Sequence, residues 1–407
     1  MTLRDYTANV ISASKVVPDG NFKTSKASGV WDINEALDLI KGGNWPNAAN
    51  IDPASFVDAL FQIHIYDGNT TGTTATNQIT NGIDLANKGG LVWIKRRDGG
   101  DTASHHALVD TVRGGTKELA TNSNAASLTA DSSQNIAFNN DGFTITGYYL
   151  KNALINYNGS NYVSWTFRKQ PKFFDIQTYT GDGTNGRSVS HDLGSTPGMI
   201  ILKRTDASSS DDWQVFHRYA TNQRWEPNNT DAGAATTLWG SGPTSTNFTV
   251  DNASFSNESG ATYIAYLFAH NNNDGGFGEP GDQDIIKCDS YTGNGSSTGP
   301  SVNLGFEPQF VMIKNASSTQ NWWVLDNMRG IVNGGTDIRL KWNTTDSEDS
   351  TGDVISLTPT GFDVTTSSSS TNTNGDTYIY MAIRRGGMQT PSTPSDVFAI
   401  NTTGTND

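Results

Sequence analysis

Tyr179-Thr180-Gly181-Asp182-Gly183, then His191-Asp192-Leu193-Gly194, Pro197 and Met199-Ile200-Ile201-Leu202-Lys203, decides the fold because it comes back. It returns as Tyr291-Thr292-Gly293-Asn294-Gly295, then Val302-Asn303-Leu304-Gly305, Pro308 and Phe310-Val311-Met312-Ile313-Lys314, with the opening tyrosines 112 residues apart. Downstream, Trp213-Gln214-Val215-Phe216-His217-Arg218 is matched to Trp323-Val324-Leu325-Asp326. Each copy closes on an alternating run, Ala261 to Phe268 and Asp376 to Arg385. A more divergent first copy opens at Ile65-Tyr66-Asp67-Gly68-Asn69 and continues through Gly90-Leu91-Val92-Trp93-Ile94-Lys95-Arg96. Its block Val109-Asp110-Thr111-Val112-Arg113-Gly114 matches Leu325-Asp326-Asn327-Met328-Arg329-Gly330, and it closes on Asn161 to Arg168. Copy one lacks the proline before its lysine strand, and His105-His106 stand in place of the tryptophan.

A period of this length is too long for a solenoid unit and matches an independent domain. Its apolar runs alternate with period two, are rich in Val, Ile, Thr, Tyr, Trp and Phe, and are separated by Gly/Asn/Asp/Ser clusters. That pattern predicts β-strands joined by turns. The expected fold is all-β, three tandem antiparallel β-sandwiches over residues 55–170, 172–272 and 283–386, with no sustained amphipathic helix between residues 60 and 385. An N-terminal arm with a short helix fills residues 1–50. Asp32-Ile33-Asn34-Glu35 reads as its capping box, and Gly42-Gly43 as its end. Residues 387–407, rich in Pro, Ser, Thr and Gly, read as a linker or tail.

Composition narrows the function. The 407 residues are 34% hydrophobic and only 17% charged, so polarity comes from Ser, Thr, Asn and Gly; aromatics at 10% argue against disorder. A net charge of −14 repels nucleic-acid phosphates, so no nucleic-acid partner is expected. No apolar run reaches the roughly 20 residues needed to span a bilayer, so no membrane insertion is expected. The N-terminus shows no signal-peptide pattern. The lone Cys288 cannot form an intrachain disulfide.

Several residue sets carry potential chemistry. Gly295-Ser296-Ser297-Thr298-Gly299 has the spacing of a nucleophile elbow but lies in a loop with Pro300 next and no helix following, so a turn is expected. Cys288 is expected to be a packed thiol. His64, His105, His106, His191, His217 and His270 show no metal-ligand spacing, and His105-His106 are assigned to the surface or a turn. Asp211-Asp212, Asp282 with Asp284, and Asp346 with Glu348-Asp349 offer carboxylates for glycoside hydrolysis or Ca²⁺, but sit in stretches that read as solvated turns. Lys95, Lys203 and Lys314 recur at one position and are expected to guard a strand edge. Trp93, Trp213, Trp322 and Trp323 could stack on sugar rings but are expected in the core; one of the adjacent pair Trp322-Trp323 is expected to be exposed or at an interface. No catalytic, cofactor-binding or metal-binding residue is assigned, and no cofactor.

The segment Ala27-Ser28-Gly29-Val30-Trp31-Asp32-Ile33-Asn34-Glu35 with Asn44-Trp45-Pro46 resembles an N-terminal segment common in marine bacteriophage virion proteins. The repeated Tyr-Thr-Gly-x-Gly, Leu-Gly, Pro, lysine-strand and Trp pattern resembles a domain of uncharacterised function in tail-fibre and other structural proteins of cyanophages and related marine phages. The resemblance covers residues 20–385. It implies concanavalin-like jelly-roll sandwiches and a place in the virion, after synthesis in the host cytoplasm. The expectation is a non-enzymatic tail or head fibre anchored to other virion proteins by its N-terminal arm. It would be a homo-oligomer, with a trimer expected, and host-surface glycans are a candidate ligand. The alternatives are a carbohydrate-binding adhesin and a tailspike depolymerase.

Overall fold

In a computed structural model of the protein, residues 56–386 are described, apart from 100–101, 132, 207–210 and 279–280. The expected N-terminal arm and helix and the C-terminal tail lie outside the described residues. Among the described residues, twenty-five strands follow in chain order. Repeat 1 holds β1 (Phe61–Asp67), β2 (Thr76–Thr80), β3 (Gly90–Arg96), β4 (Ala107–Asp110), β5 (Lys117–Ala120), β6 (Leu128–Thr129), β7 (Asn135–Phe138), β8 (Gly142–Thr146) and β9 (Asn161–Arg168). Repeat 2 holds β10 (Phe174–Thr180), β11 (Arg187–Ser190), β12 (Pro197–Arg204), β13 (Gln214–His217), β14 (Gln223–Arg224), β15 (Ala234–Ala235), β16 (Asn247–Val250) and β17 (Thr262–Ala269). Repeat 3 holds β18 (Ile286–Thr292), β19 (Ser301–Asn303), β20 (Pro308–Asn315), β21 (Trp322–Asp326), β22 (Arg339–Lys341), β23 (Ile355–Thr358), β24 (Gly361–Val364) and β25 (Thr377–Arg384).

All named strand pairs are antiparallel, and each repeat uses one strand order. The closing strand lies between the opening strand and the lysine strand: β1-β9-β3-β4, β10-β17-β12-β13 and β18-β25-β20-β21. A smaller sheet accompanies each, β2-β8-β7, β11-β16 and β19-β24-β23. Among the described residues, helix is confined to a 3₁₀ turn at Val57–Ala59 and one unpredicted turn, α1 (Leu85–Lys88), whose Asp84 N-cap accepts the Asn87 N–H at 3.0 Å.

The alternation read from sequence is present, but both faces of the central strands are buried. On β20, Val311 and Ile313 join the core of repeat 3 itself, whereas Phe310 and Met312 join a cluster drawn from all three repeats. On β3, Val92 and Ile94 divide from Leu91 and Trp93 in the same way. A period-two strand covered on both faces needs apolar side chains of both parities. In the shared cluster Phe310 packs on Phe61 at a centroid distance of 5.6 Å, and Phe167 on Phe268 at 5.4 Å. The aromatics therefore join repeats as well as filling them.

Strand register corrects one alignment. Met199 pairs with His217 and Phe310 with Asp326, which makes Trp213 the counterpart of Trp322 rather than of Trp323, with His106 at the same position in repeat 1. Trp322 and Trp323 do face opposite ways, but both are buried, Trp322 in the shared cluster and Trp323 in the core of repeat 3. The missing proline also has a local counterpart. Pro197 and Pro308 each precede a register shift at the start of their strands, and the pairing of β3 with β9 from Gly90 has no such shift.

Candidate functional site: the joints between repeats

A Tyr-x-Gly signature, Tyr66-Asp67-Gly68 in repeat 1 and Tyr-Thr-Gly in repeats 2 and 3, builds one end of every repeat. Tyr66, Tyr179 and Tyr291 stand opposite Tyr162, Tyr263 and Tyr378, and the paired rings stack at 5.2, 5.1 and 5.1 Å. The first tyrosine of each pair donates to a backbone carbonyl, of Ile155, Ser256 and Thr371. The second accepts a backbone N–H, from Tyr157, Glu258 and Thr373. Between them lies a buried asparagine that sequence reading missed: Asn156, Asn257 or Asn372. Asn372 accepts the Asn294 N–H at 2.8 Å and donates to Ser296 and Thr366 carbonyls at 2.7 and 2.8 Å. The signal was available, because each asparagine precedes the second tyrosine by six residues.

The three lysines are the clearest correction. They do not guard an edge, because β3, β12 and β20 each lie between two strands, and all three side chains are buried. Each ammonium reaches a carbonyl of the neighbouring repeat. Lys95 donates to Thr345 at 3.2 Å, Lys203 to Asn124 at 2.9 Å and Lys314 to Thr230 at 2.9 Å. The direction runs from repeat 1 to 3, from 2 to 1 and from 3 to 2, so the repeats close a ring. Each lysine also bonds a carbonyl of its own repeat, of Arg96, Asp211 and Gln320. Burial lowers the pKa of Lys203 and Lys314 to about 8.

A second set of contacts runs round the same ring. The last residue of β4, β13 or β21 meets the closing strand of a neighbour. Asp110 accepts the Tyr266 hydroxyl at 2.9 Å, Asp326 accepts the Trp165 Nε1–H at 3.0 Å, and His217 meets the Tyr380 carbonyl at 3.1 Å. In repeats 1 and 3 the carboxylate is neutralised locally, by Arg113 and Arg329 at 2.6 Å. Both arginines also reach a strand carbonyl, of Leu108 and Val324. A buried ion pair gains from hydrogen bonds that complete both partners, and removing one partner strands the other. The tryptophan position forms a third set: Trp213 donates to Ala120 at 3.0 Å and His106 meets Lys341 at 3.0 Å, with Ala120 and Lys341 in equivalent places. His106 is thus a buried joint residue, not a surface one.

The turns after these strands end in exposed apolar residues. Val112, Tyr219 and Met328 each lie two residues beyond Asp110, His217 and Asp326, and they are three of the five large hydrophobics exposed among the described residues. A cyclic arrangement puts equivalent positions on one face. Met328 shares a cavity of about 630 Å³ with Asp58, His64, Asn81 and Arg385. Gly386 is pressed against Asp58, where a β-carbon would fall 1.5 Å from Oδ1. The described chain therefore enters and leaves the ring side by side, next to one of the apolar turn tips.

Of the carboxylates singled out in sequence, Asp211, Asp212, Asp284, Asp346 and Asp349 are engaged by neighbouring groups of their own segment, and Glu348 is engaged across a joint. Asp211 pairs with Arg204, Asp212 accepts from Asn228, and Asp284 accepts the Asn273 and Gly275 N–H groups. Asp346 pairs with Lys341, Asp349 with Arg339, and Glu348 with Arg97 across the joint of repeats 1 and 3. Asp282 is exposed. Gly295–Gly299 lies in the loop between β18 and β19, where Asn372 binds Ser296. Cys288 is buried, and burial raises its pKa. His64 lines the cavity, His105 bonds Asn122, His191 meets the Thr244 carbonyl, and His270 accepts the Cys288 N–H. Among the described residues no group of His, Cys, Asp and Glu is placed to hold a metal ion, and no helix is long and apolar enough to cross a membrane.

Residues 58–385 match a family described as Domain of unknown function (DUF7483), so a single match takes in all three repeats. No curated protein and no solved structure matches the chain.

Proposed function

The chain belongs to the DUF7483 family, and we propose that it is a non-enzymatic structural protein of a phage virion, a tail or head fibre component anchored by its N-terminal arm. In this proposal the repeats are jelly-roll, concanavalin-like sandwiches, and the ring is the projecting or seating body. The observation that carries the proposal is the cyclic closure of the joints. Lys95, Lys203 and Lys314, present at one position in every repeat, are committed to holding repeats together. Such a ring has the character of a homotrimer joined into one chain. It suits a threefold site on a larger assembly, with Val112, Tyr219 and Met328 as three equivalent apolar contacts. The adjacent ends of the described chain beside Met328 favour that face as the one turned toward the particle.

A carbohydrate-binding adhesin is the second reading. It is favoured by Tyr148, Tyr149 and Tyr157 in repeat 1, whose rings lie 5.8–6.1 Å apart with Tyr157 exposed. One experiment separates the two. Deleting residues 1–50 from the chain encoded in its phage should abolish incorporation into particles while the released ring stays folded. Incorporation at wild-type level would overturn the structural proposal, and saturable binding of the ring on a glycan array would then support the adhesin.

A further inference from the structure

We infer that acid opens this ring at repeat 3: protonation of His106 and His217 weakens the two joints that hold that repeat, and spares the joint between repeats 1 and 2.

The hydrogen-bond partners fix the protonation state of both imidazoles. The Trp93 indole can only donate, and its Nε1–H points at His106 Nδ1 at 3.0 Å. The Lys341 carbonyl of repeat 3 can only accept, and it lies 3.0 Å from His106 Nε2. His106 is therefore neutral, with its proton on Nε2. His217 has the same arrangement. Its Nδ1 accepts the Tyr219 N–H at 3.3 Å, and its Nε2 donates to the Tyr380 carbonyl of repeat 3 at 3.1 Å. A second proton on either ring would go to Nδ1, where a donor already points.

Both histidines are almost fully buried, at 0% and 1% exposure. The groups around them do not offset a new charge. His106 faces Lys95 on β3, His105 beside it and Arg329 from repeat 3, all cationic when charged. The carboxylates of that joint, Asp326 and Glu348, are already engaged by Arg329 and Arg97. His217 faces Arg218, His270 and the carboxylate of Asp289, and Asp289 already pairs with Arg218 at 3.3 Å. Burial holds the His106 pKa well below the ordinary imidazole value and lowers that of His217 to about 4. An opened or unfolded imidazole takes its proton near 6.5, so the opened state binds more protons as pH falls from 6.5 toward 4, and opening is favoured there. The joint between repeats 1 and 2 uses Asp110, Arg113, Tyr266, Lys203 and Trp213; no histidine bonds across it among the described residues.

Native-state hydrogen exchange on the full chain, corrected for the intrinsic pH dependence of exchange, tests this between pH 7.5 and 4.5. Protection of β21, β22 and β25 should fall at least tenfold, while β4, β5 and β17 keep theirs. Replacing both rings by an amide, His106→Gln with His217→Gln, should remove that pH dependence. Should the double variant fail to fold, nitrogen shifts of the wild-type imidazoles give an independent readout. They should report Nε2–H tautomers at pH 7 and titration below 6.5, coincident with the loss of protection. Equal loss at all three joints, no loss at pH 4.5, or titration near 6.5 with every joint intact would each overturn the inference.

Discussion

Lys203 and Lys314 bring cationic side chains into the joints and leave each ammonium on two backbone carbonyls. Their recurrence was legible in the sequence; their burial was not, because a strand-end lysine is usually solvated. The sign of the resulting pH dependence follows from burial. An unfolded lysine holds its proton to about 10.4, whereas these two release theirs near 8 in the folded ring. Between those values the unfolded chain binds more protons, so stability should rise with pH. Above about pH 10 the signature tyrosines, buried or half-buried, reverse the trend. Tyr66, Tyr179 and Tyr291 keep their protons in the fold, and unfolded tyrosines lose theirs. Urea midpoints measured from pH 7.5 to 11 should therefore pass through a maximum between 8 and 10.5. The double variant Lys203→Met with Lys314→Met should lose the rising limb. A wild-type midpoint that only falls over this range would refute the assignment.

At the level of the element, close approach of two backbones explains the Tyr-x-Gly turn. A β-carbon on Gly68, Gly181 or Gly293 would lie 2.0, 2.0 or 2.2 Å from a carbonyl oxygen of the segment that carries the buried asparagine. Only glycine lets those two backbones meet and lets Asn156, Asn257 or Asn372 tie them together. Gly293→Ala must displace backbone and should destabilise the protein by at least about 2 kcal/mol in denaturant unfolding, against about 0.5 kcal/mol or less for Ser301→Ala on the exposed face of β19. A near-neutral Gly293→Ala would show that the loop can open without cost. Strand positions and turn glycines were legible because they follow from local geometry and period-two burial. The match of Trp213 to Trp322 rather than to Trp323 was not, since Trp322 and Trp323 both fit an apolar strand equally well. Only pairing across the sheet separates them.

For the whole molecule, the shared cluster makes the repeats depend on one another. Phe61, Trp93, Phe167, Phe174, Phe268, Phe310, Trp322 and Trp342 lie in one continuous core. A repeat taken alone exposes its share of that surface, and burying one aromatic side chain contributes about 3–5 kcal/mol by truncation. Residues 172–272 expressed alone should self-associate or aggregate, whereas co-expressed 56–170, 171–272 and 273–386 should purify together as a 1:1:1 complex on light-scattering chromatography. A monomeric 172–272 with the unfolding free energy of an ordinary small domain would contradict a shared core.

What the sequence determined by itself is the unit and its number: an all-β segment, antiparallel in character, present three times, with its strands and turns marked by alternation and by glycine. Those features depend on interactions within a few residues or within one repeated pattern, so they can be read along the chain. Tertiary structure decided the role of the recurring polar residues. Lys95, Lys203, Lys314, His106 and Asp326 find their partners more than 75 residues away, in a different repeat. A contact of that separation leaves no local period, and its physical consequence, a buried charge or a neutral imidazole, exists only once the ring has closed.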